Sequence, residues 1–371
     1  MEFFEDAWPF TNLENTMFSQ KIAAGKNRLR ILGLIARRRG ISQRQLVLTT
    51  GHQPSTISNI VRTLKEQGVV REGATIETER MGPKETELEV PPDCLWCAGV
   101  GLDGLGHRII LVNASGHTIA QEQLPPGLPS DTLPDFLAGR IHACAASAGL
   151  APDRFGGVGV SVPGVVDTQS GMVLISRSLD LHDFPLGPLL RKALDRPVWI
   201  ERNVACGAYA EYDIGVARQR DSFIYFFLRF AAGQRAQVGL SLVIGEKVFQ
   251  GSNSAAGEVD SNLASVPYTT SLAALHATSA DTDAFYDTLA KNLIGIVNLL
   301  DISCVVFSCN DEHLTLERFQ RLGDTIASGL IPLARRRFEF LRSSMGAEGI
   351  LLGAARLALH RSLAARLASI A

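Results

Sequence analysis

The sequence predicts an α/β protein with two parts, a small helical domain at 26–90 and a larger α/β body at 94–371. Two observations support this division. Residues 27–38 and 41–68 carry apolar side chains at helical spacing. From residue 94 onward, short apolar strands bounded by glycine turns are interleaved with helical segments, which is typical of an α/β fold. A chain of 371 residues is long enough for two or three domains.

Composition indicates a globular protein, with 46% apolar and 20% charged residues. No apolar run approaches the ~20 residues that cross a bilayer. The first ten residues, MEFFEDAWPF, are acidic and aromatic, unlike a signal or transit peptide. We therefore expect a cytoplasmic protein. Residues 1–25 have no clear period and are expected to form an N-terminal extension.

The cysteine pattern favours packed, reduced thiols. The six cysteines lie at positions 94, 97, 144, 206, 304 and 309, too sparse for a disulfide scaffold. Cys94 and Cys97 form a lone CxxC without the second pair or the nearby histidine that would complete four zinc ligands. We expect no metal and no other cofactor.

Residues 41–68, ISQRQLVLTTGHQPSTISNIVRTLKEQG, predict two short helices around a tight turn. Ser42 can cap the first helix, and Gln45, three residues on, completes a capping box. Gly51 suits the left-handed turn that ends this helix. Pro54 suits the first position of the second helix, where a missing N–H costs nothing.

The second helix has one apolar stripe and one polar face. The stripe, at i, i+3, i+4 and i+7, consists of Ile57, Ile60, Val61 and Leu64. The outward side chains are Ser55, Thr56, Ser58, Asn59 and Arg62. Hydroxyl, amide and guanidinium groups suit contacts to base edges and phosphates in a DNA major groove. An ordinary helical hairpin with a solvated face is the alternative.

Charge is unevenly distributed along the chain. Net charge is −2, yet residues 26–71 hold ten basic residues and one acid, so this segment is +9 and the remainder −11. A basic module on an acidic body is expected of a protein that binds nucleic acid.

The segments flanking the two helices predict a winged helix-turn-helix domain. Residues 27–38 form an amphipathic support helix, and two short strands joined by a polar loop are expected within 69–90. Residues 81–84 in this loop are a plain turn or a phosphate contact. Residues 91–93, Pro-Pro-Asp, are expected to form a stiff hinge at the end of this domain.

The body is predicted as follows. Three strands precede residue 125, with a hairpin at 113–116, and later strands lie at 156–162, 197–201, 222–230, 237–249 and 304–308. Helices are expected at 131–148, 205–214, 290–300, 315–342 and 353–370.

Three motifs give the chain a resemblance to the ROK family (repressors, open reading frames and kinases). Residues 157–212 resemble the family's strand, its PG-V-D turn and its E-N-D-A-N-A-A segment. Residues 251–258, GSNSAAGE, resemble G-x-x-x-x-A-G-E, and residues 352–355, LGAA, match the last helix. The resemblance covers residue 27 to the C-terminus. It is nearest to the transcriptional regulators, which include xylose and N-acetylglucosamine repressors.

The resemblance implies a two-lobed actin/hexokinase-like (ribonuclease H-like) body with a sugar cleft between the lobes. Lobe one would comprise 94–195 with the C-terminal helix 350–371, and lobe two 196–349.

Compared with the family's kinases, the segment of residues 201–205, ERNVA, lacks the catalytic base. Asn203 stands at the base position, and an amide cannot accept a proton at neutral pH. Arg202 replaces an amide that bonds a sugar hydroxyl. The resemblance thus implies that the general base is lost.

The phosphate-binding turns and the zinc site also depart from the family pattern. The first turn, at 101–105, lacks its leading acid, and Asp103 comes two residues late. The second, at 235–241, keeps one of four glycines. After Glu258 the family's histidine and cysteines are missing. We expect an inactive kinase site and no zinc.

Of the family's sugar contacts, Glu258 matches by identity and Asn203 by position and size. Arg202 beside them favours an anionic ligand, such as a sugar phosphate or sugar acid. The expected ligand-binding residues are therefore Arg202, Asn203 and Glu258. The alternative is that they are relics packed in a closed seam.

We expect a DNA-binding transcriptional regulator, a repressor of carbohydrate-related genes, acting as a homodimer or homotetramer on an inverted repeat in double-stranded DNA. Arg62 and Asn59 are the expected base contacts. The expected phosphate contacts are Arg38, Arg39, Arg44 and Lys65. The remaining members of the expected DNA-binding set are Gln53, Ser55, Thr56 and Ser58.

Two other functions fit parts of the sequence. One is a sugar kinase with an accessory DNA module, against which the altered turns and Asn203 argue. The other is a regulator whose body only dimerises and binds no sugar.

Overall fold

The computed structural model describes residues 27–28, 30–36, 40–76, 85–104, 106–218, 220–230, 237–259, 279–310, 314–335 and 337–368. Two compact units divide the chain. The first comprises Met1–Val160, Pro185–Ile200 and Ala354–Ala371, and the second Ser161–Phe184 and Glu201–Gly353. The domain limits predicted from the sequence stay predictions.

The N-terminal elements form a three-helix unit with a small sheet. Helix α1 covers residues 30–36, and the others are β1 (Ile41–Ser42), α2 (Gln43–Thr50), α3 (Pro54–Glu66), β2 (Arg71–Ile76) and β3 (Glu85–Glu89). The sheet is antiparallel with the order β1-β3-β2. Three apolar side chains of α1 are buried, namely Ile31, Leu32 and Ile35. The two strands predicted after α3 are confirmed, so this unit is a winged helix-turn-helix.

The remaining strands of the described chain are β4 (Trp96–Gly101), β5 (His107–Asn113), β6 (Thr118–Leu124), β7 (Phe155–Val162), β8 (Val165–Asp167), β9 (Met172–Ser176), β10 (Leu181–Phe184), β11 (Val198–Arg202), β12 (Phe223–Arg229), β13 (Gln237–Ile244), β14 (Lys247–Val248), β15 (Cys304–Cys309) and β16 (Glu339–Arg342). The remaining helices are α4 (Leu133–Ser147), α5 (Leu186–Leu194), α6 (Asn203–Asp213), α7 (Ser279–Leu300), α8 (Leu316–Gly329), α9 (Pro332–Arg335) and α10 (Glu348–Ala368).

Two five-stranded sheets share one topology. Their strand orders are β11-β7-β4-β5-β6 and β14-β13-β12-β15-β16. In each sheet three consecutive strands form an antiparallel meander, and the next two strands add to the free side of the meander's first strand. In the second sheet these added strands are parallel to β12. A third sheet, β10-β9-β8, is a small antiparallel meander.

The core of the second unit is aromatic. The rings of Phe226 on β12 and Phe307 on β15 stack with centroids 5.3 Å apart. Helices α7 and α8 cover this sheet with apolar side chains that include Leu293 and Phe319. The packed sheet is therefore a rigid scaffold for the loops that follow its strands.

Two predicted elements of this unit are wrong in part. Residues 237–249 are two strands, because Gly245 and Glu246 adopt positive φ angles of 57° and 63° and turn the chain. The helix predicted at 315–342 ends at Gly329, and residues 339–342 form β16 beside β15. Pro332 cannot continue the helical hydrogen-bond pattern, and Phe340 packs with Phe319 in the core.

Helix α5 was not predicted. Helix α7 begins at Ser279, eleven residues before its predicted start at 290. None of the helices in the described ranges is long and apolar enough to cross a membrane.

Candidate nucleic-acid interface and ligand site

Local chemistry determines the geometry of the turn between α2 and α3. Ser42 caps α2, with its Oγ accepting the N–H of Gln45 and the Gln45 side chain accepting the N–H of Ser42. Gly51 ends α2 with φ at 70°. Pro54 is the first residue of α3. The predicted capping box, left-handed glycine and proline start are confirmed, so the sequence of this turn dictates its shape.

Helix α3 separates an apolar face from a polar face. The predicted stripe is buried in full: Ile57, Ile60, Val61 and Leu64. Six of the predicted DNA-binding residues are exposed along or just before this helix: Gln53, Ser55, Ser58, Asn59, Arg62 and Lys65. Thr56 is half-buried. Because the stripe anchors the helix, the polar side chains cannot rotate inward.

Neighbouring polar groups position several of these exposed side chains. Arg62 donates from Nη2 to Asn59 Oδ1 at 3.2 Å and lies 3.9 Å from the Glu66 carboxylate. Ser58 donates its hydroxyl to Gln43 Oε1 at 3.0 Å, which ties α3 to the start of α2. The guanidinium of Arg62 and the amide of Asn59 therefore lie side by side on the exposed face of α3, joined by a hydrogen bond.

The two predicted phosphate contacts that lie among the described residues are paired with glutamates. Arg44 lies 3.2 Å from Glu85, and Lys65 lies 2.6 Å from Glu72. Residues 72–89 add six glutamates and two basic residues, so the +9 of residues 26–71 becomes +5 over residues 26–89. Sequence analysis missed these partners, although glutamates at alternate positions of a predicted strand were a signal that they share one face.

The Glu85 carboxylate is held in its charged form. It accepts hydrogen bonds from Ser42 Oγ at 2.5 Å and from Arg44 at 3.2 Å. The Ser42 bond, followed by the interaction with Arg44, lowers the pKa of Glu85 below its usual value. Arg44 thus keeps a charged partner at neutral pH.

Arg38 and Arg39 lie outside the described residues, as does the loop segment at 81–84. Their predicted DNA contacts stay predictions.

The second candidate site lies where β11 meets α6. Arg202 ends β11 and has no exposed surface, and its Nη1 donates to the carbonyl oxygen of Ala256. Asn203 begins α6, and its Oδ1 accepts the backbone N–H of Val204 at 2.8 Å. Glu258 Oε1 lies 3.8 Å from Arg202 Nη1. The structure therefore brings the predicted ligand residues Arg202 and Glu258 together, with Asn203 next to Arg202 in the chain.

Glu258 is the exposed member of this group, with 40% of its side chain accessible. Partial burial of the carboxylate raises its pKa, and the guanidinium groups of Arg202 and Arg177 oppose that shift. Arg177 was not predicted, and it follows β9 far from Glu258 in the sequence. Only the folded chain reveals this neighbour.

A buried histidine, His107, follows the turn at 101–105 as the first residue of β5. The backbone N–H of Asp103 donates to His107 Nδ1 at 3.3 Å, and burial lowers the pKa of His107. A neutral imidazole is therefore the acceptor. Residues 235 and 236 of the second turn lie outside the described residues, and 237–241 belong to β13. The predicted loss of phosphate binding at this turn stays a prediction.

Within the described ranges, no group of three or more histidine, cysteine, aspartate or glutamate side chains is placed to hold a metal ion. The segment at 260–278, where the family's zinc ligands would begin, lies outside those ranges.

Two family models match the chain. Residues 26–80 match the MarR family, and residues 97–264 match the ROK family. With the geometry above, these matches define a winged helix-turn-helix domain followed by an actin-like body. The chain thus resembles ROK family proteins over residues 97–264 and carries a MarR-like winged helix domain before that region.

Three curated proteins are similar to the chain. The xylose repressor of Caldicellulosiruptor bescii is 26% identical over 235 residues, which cover 63% of this chain and 57% of that protein. The xylose repressor of Bacillus subtilis is 27% identical, covering 63% and 59%. The DNA-binding transcriptional repressor Mlc of Escherichia coli is 23% identical, covering 44% and 41%. The chain thus spans less than two thirds of each relative.

Two solved structures share the fold. A ROK family transcriptional regulator, described as a homolog of the Escherichia coli MLC protein, superposes with a TM-score of 0.72 at 17% identity and covers 94% of this chain and 99% of its own. The ROK hexokinase from Thermus thermophilus has a TM-score of 0.55 at 19% identity, covering 70% and 97%. The predicted fold class is confirmed.

The Ser42 cap gives a direct prediction for the helix-turn-helix. We expect Ser42→Ala to destabilise α2 by about 1–2 kcal/mol, because the N–H of Gln45 loses its acceptor. Hydrogen exchange of the α2 amides in the whole chain measures this effect. Ser55→Ala, an exposed serine on the neighbouring helix, is the matched control and should change stability by less than about 0.5 kcal/mol. Equal exchange rates in both variants would contradict the capping role.

Proposed function

We propose that the chain is a DNA-binding transcriptional repressor of carbohydrate-related genes. The observation that carries this proposal is the fixed outer face of α3, where Ser55, Asn59 and Arg62 are exposed beside a buried apolar stripe. Such a helix presents an amide, a hydroxyl and a guanidinium to base edges in a major groove. The relatives reported above, two xylose repressors and a DNA-binding transcriptional repressor, agree with it.

In this proposal Arg62 and Asn59 contact bases together. The hydrogen bond from Arg62 to Asn59 reduces the freedom of both side chains before DNA binds. Arg44 and Lys65 bind phosphates, exchanging their glutamate partners for the DNA backbone. A homodimer or homotetramer places two copies of α3 in successive major grooves, ~34–36 Å apart, on an inverted repeat.

The glutamate partners make specific contacts more important than charge alone. Each phosphate contact of Arg44 or Lys65 first breaks an ion pair within the domain, so its net gain is smaller than that of a free cation. The base contacts from α3 then carry a larger share of the discrimination between operator and random DNA.

We further propose that a sugar derivative acts as the effector at Arg202, Asn203 and Glu258. The carboxylate of Glu258 can accept hydrogen bonds from hydroxyls, and the guanidinium of Arg202 lies beside it at 3.8 Å. Sugar ligands offer several adjacent hydroxyls that such a group can bind.

The protein is not proposed to be a kinase. Asn203 has no proton-accepting group at neutral pH, and its Oδ1 already accepts the N–H of Val204. We therefore expect no ADP release from ATP above that of Glu258→Ala when hexoses and hexosamines are supplied, as measured in a coupled assay. Turnover that depends on the sugar and is lost in Glu258→Ala would contradict this.

Substitutions at two exposed cations of α3 test the DNA interface. We expect Arg62→Ala to weaken operator binding by about 1–3 kcal/mol and to relax specificity, because a base contact is lost. Lys65→Ala should weaken binding equally on all sequences and reduce the salt slope by about one. Fluorescence anisotropy at several salt concentrations, on operator and random DNA, measures both effects.

Lys192→Ala is the matched control, an exposed cation on α5 outside the helix-turn-helix. It should leave both affinities unchanged. If Arg62→Ala and Lys65→Ala lowered affinity by the same factor on operator and random DNA, the assignment of base contacts to α3 would be wrong.

A further inference from the structure

Arg202 is a buried cation whose hydrogen-bonding capacity is only partly used. Its side chain is 0% exposed, and Nη1 donates to the carbonyl oxygen of Ala256. Nε and Nη2 have no hydrogen-bond partner among the described residues. Buried guanidinium nitrogens without an acceptor cost free energy, so a native structure that keeps them needs an acceptor for them.

The two unused nitrogens form one edge of the guanidinium group. The N–H of Nε and one N–H of Nη2 point in parallel, and this spacing matches the two oxygens of a carboxylate or phosphate. A single sugar hydroxyl oxygen can satisfy only one of them well. The vacant edge therefore selects for a ligand with two oxygens on one atom.

The start of α6 and two carboxylates determine the charge around this edge. Arg202 directly precedes α6, a helix of eleven residues with no acidic side chain in its first turn. The positive end of the helix dipole favours an anion, and the carboxylates of Glu201 and Glu258 partly offset it. Glu258 lies 3.8 Å from Nη1, the nitrogen that is not part of the vacant edge. Glu201 accepts the backbone N–H of Arg202 at 2.8 Å and contacts Gln250.

We propose that the effector is anionic, and that the Nε–Nη2 edge of Arg202 binds its carboxylate or phosphate group while Glu258 accepts hydroxyls. This inference rests on the proposed effector role of the same site and names the chemical class of the effector. Because Arg202 has no exposed surface, the turn that holds Ala256 and Glu258 moves when the ligand enters. Its first residues, Gly251–Asn253, are exposed.

Calorimetric titration of the whole chain without DNA tests the proposal. The ligands are glucuronate, xylonate and glucose 6-phosphate, each compared with its neutral parent, glucose or xylose. We expect at least one anion to bind about tenfold or more tightly than its parent, because a bidentate charged contact is gained. Which anion binds distinguishes a sugar acid from a sugar phosphate. If no anion binds more tightly than its neutral parent, the proposal is overturned.

Variants locate the anion at Arg202. Arg202→Gln and Arg202→Lys should each weaken anion binding by about ten- to a hundredfold, since both lose the side-on edge. Lys192→Gln removes an exposed cation on α5, which is not one of the proposed ligand residues, and is the control, with an expected change of under about threefold. Arg202→Lys keeps the buried charge, so it remains informative if Arg202→Gln does not fold. Undiminished anion binding by Arg202→Lys would overturn the proposal.

These titrations, combined with the anisotropy measurements on operator and random DNA, separate this inference from the proposed repressor function. If the chain binds an inverted repeat but no sugar anion, only the proposal of an anionic effector is wrong. If the chain binds the anion at Arg202 but no specific DNA sequence, the proposed repressor function is wrong and the proposed ligand site is supported.

Discussion

The buried stripe of α3 is the constraint on which the proposed interface depends. Ile57, Ile60, Val61 and Leu64 occupy one side of the helix and are all buried. Turning the helix by one residue would expose apolar side chains at about 1.5–3 kcal/mol each and bury polar ones. The direction of Asn59 and Arg62 is therefore set by the core of the domain and not by their own contacts.

Glutamates that pair with basic residues of this domain reduce its attraction for DNA phosphates. The basic segment at 26–71 lies in a domain whose sheet supplies Glu72 and Glu85 as partners for Lys65 and Arg44. A domain with free cations would bind any DNA through phosphates, with strong salt dependence. Pairing Arg44 and Lys65 within the domain lowers that general attraction, which would favour selection by the proposed base contacts of α3.

How far the sequence predicted the structure depends on the range of the interactions involved. The capping box at Ser42, the turn at Gly51 and the start at Pro54 arise from neighbours within a few residues, and all were predictable. The end of α8 was missed because β16 forms through its pairing with β15 and through Phe340 in the core. Such tertiary packing overrides local helical preference.

The candidate ligand site shows the same limit. The resemblance to the ROK family indicated Arg202, Asn203 and Glu258 as ligand residues, and the fold brings Arg202 and Glu258 within 3.8 Å. The unused edge of Arg202 was not predictable, because it depends on complete burial and on Ala256, 54 residues away, occupying Nη1. The nearby charge of Arg177 likewise follows only from the folded chain.

The recovery of specific fragments from sheared DNA of the source genome tests the repressor function most directly. The purified chain is incubated with the fragments, and the bound DNA is recovered and sequenced. Base contacts by a symmetric pair of α3 helices predict enrichment of a few fragments that share an inverted repeat. Uniform recovery that simply fades with added salt would contradict sequence-specific binding by this domain.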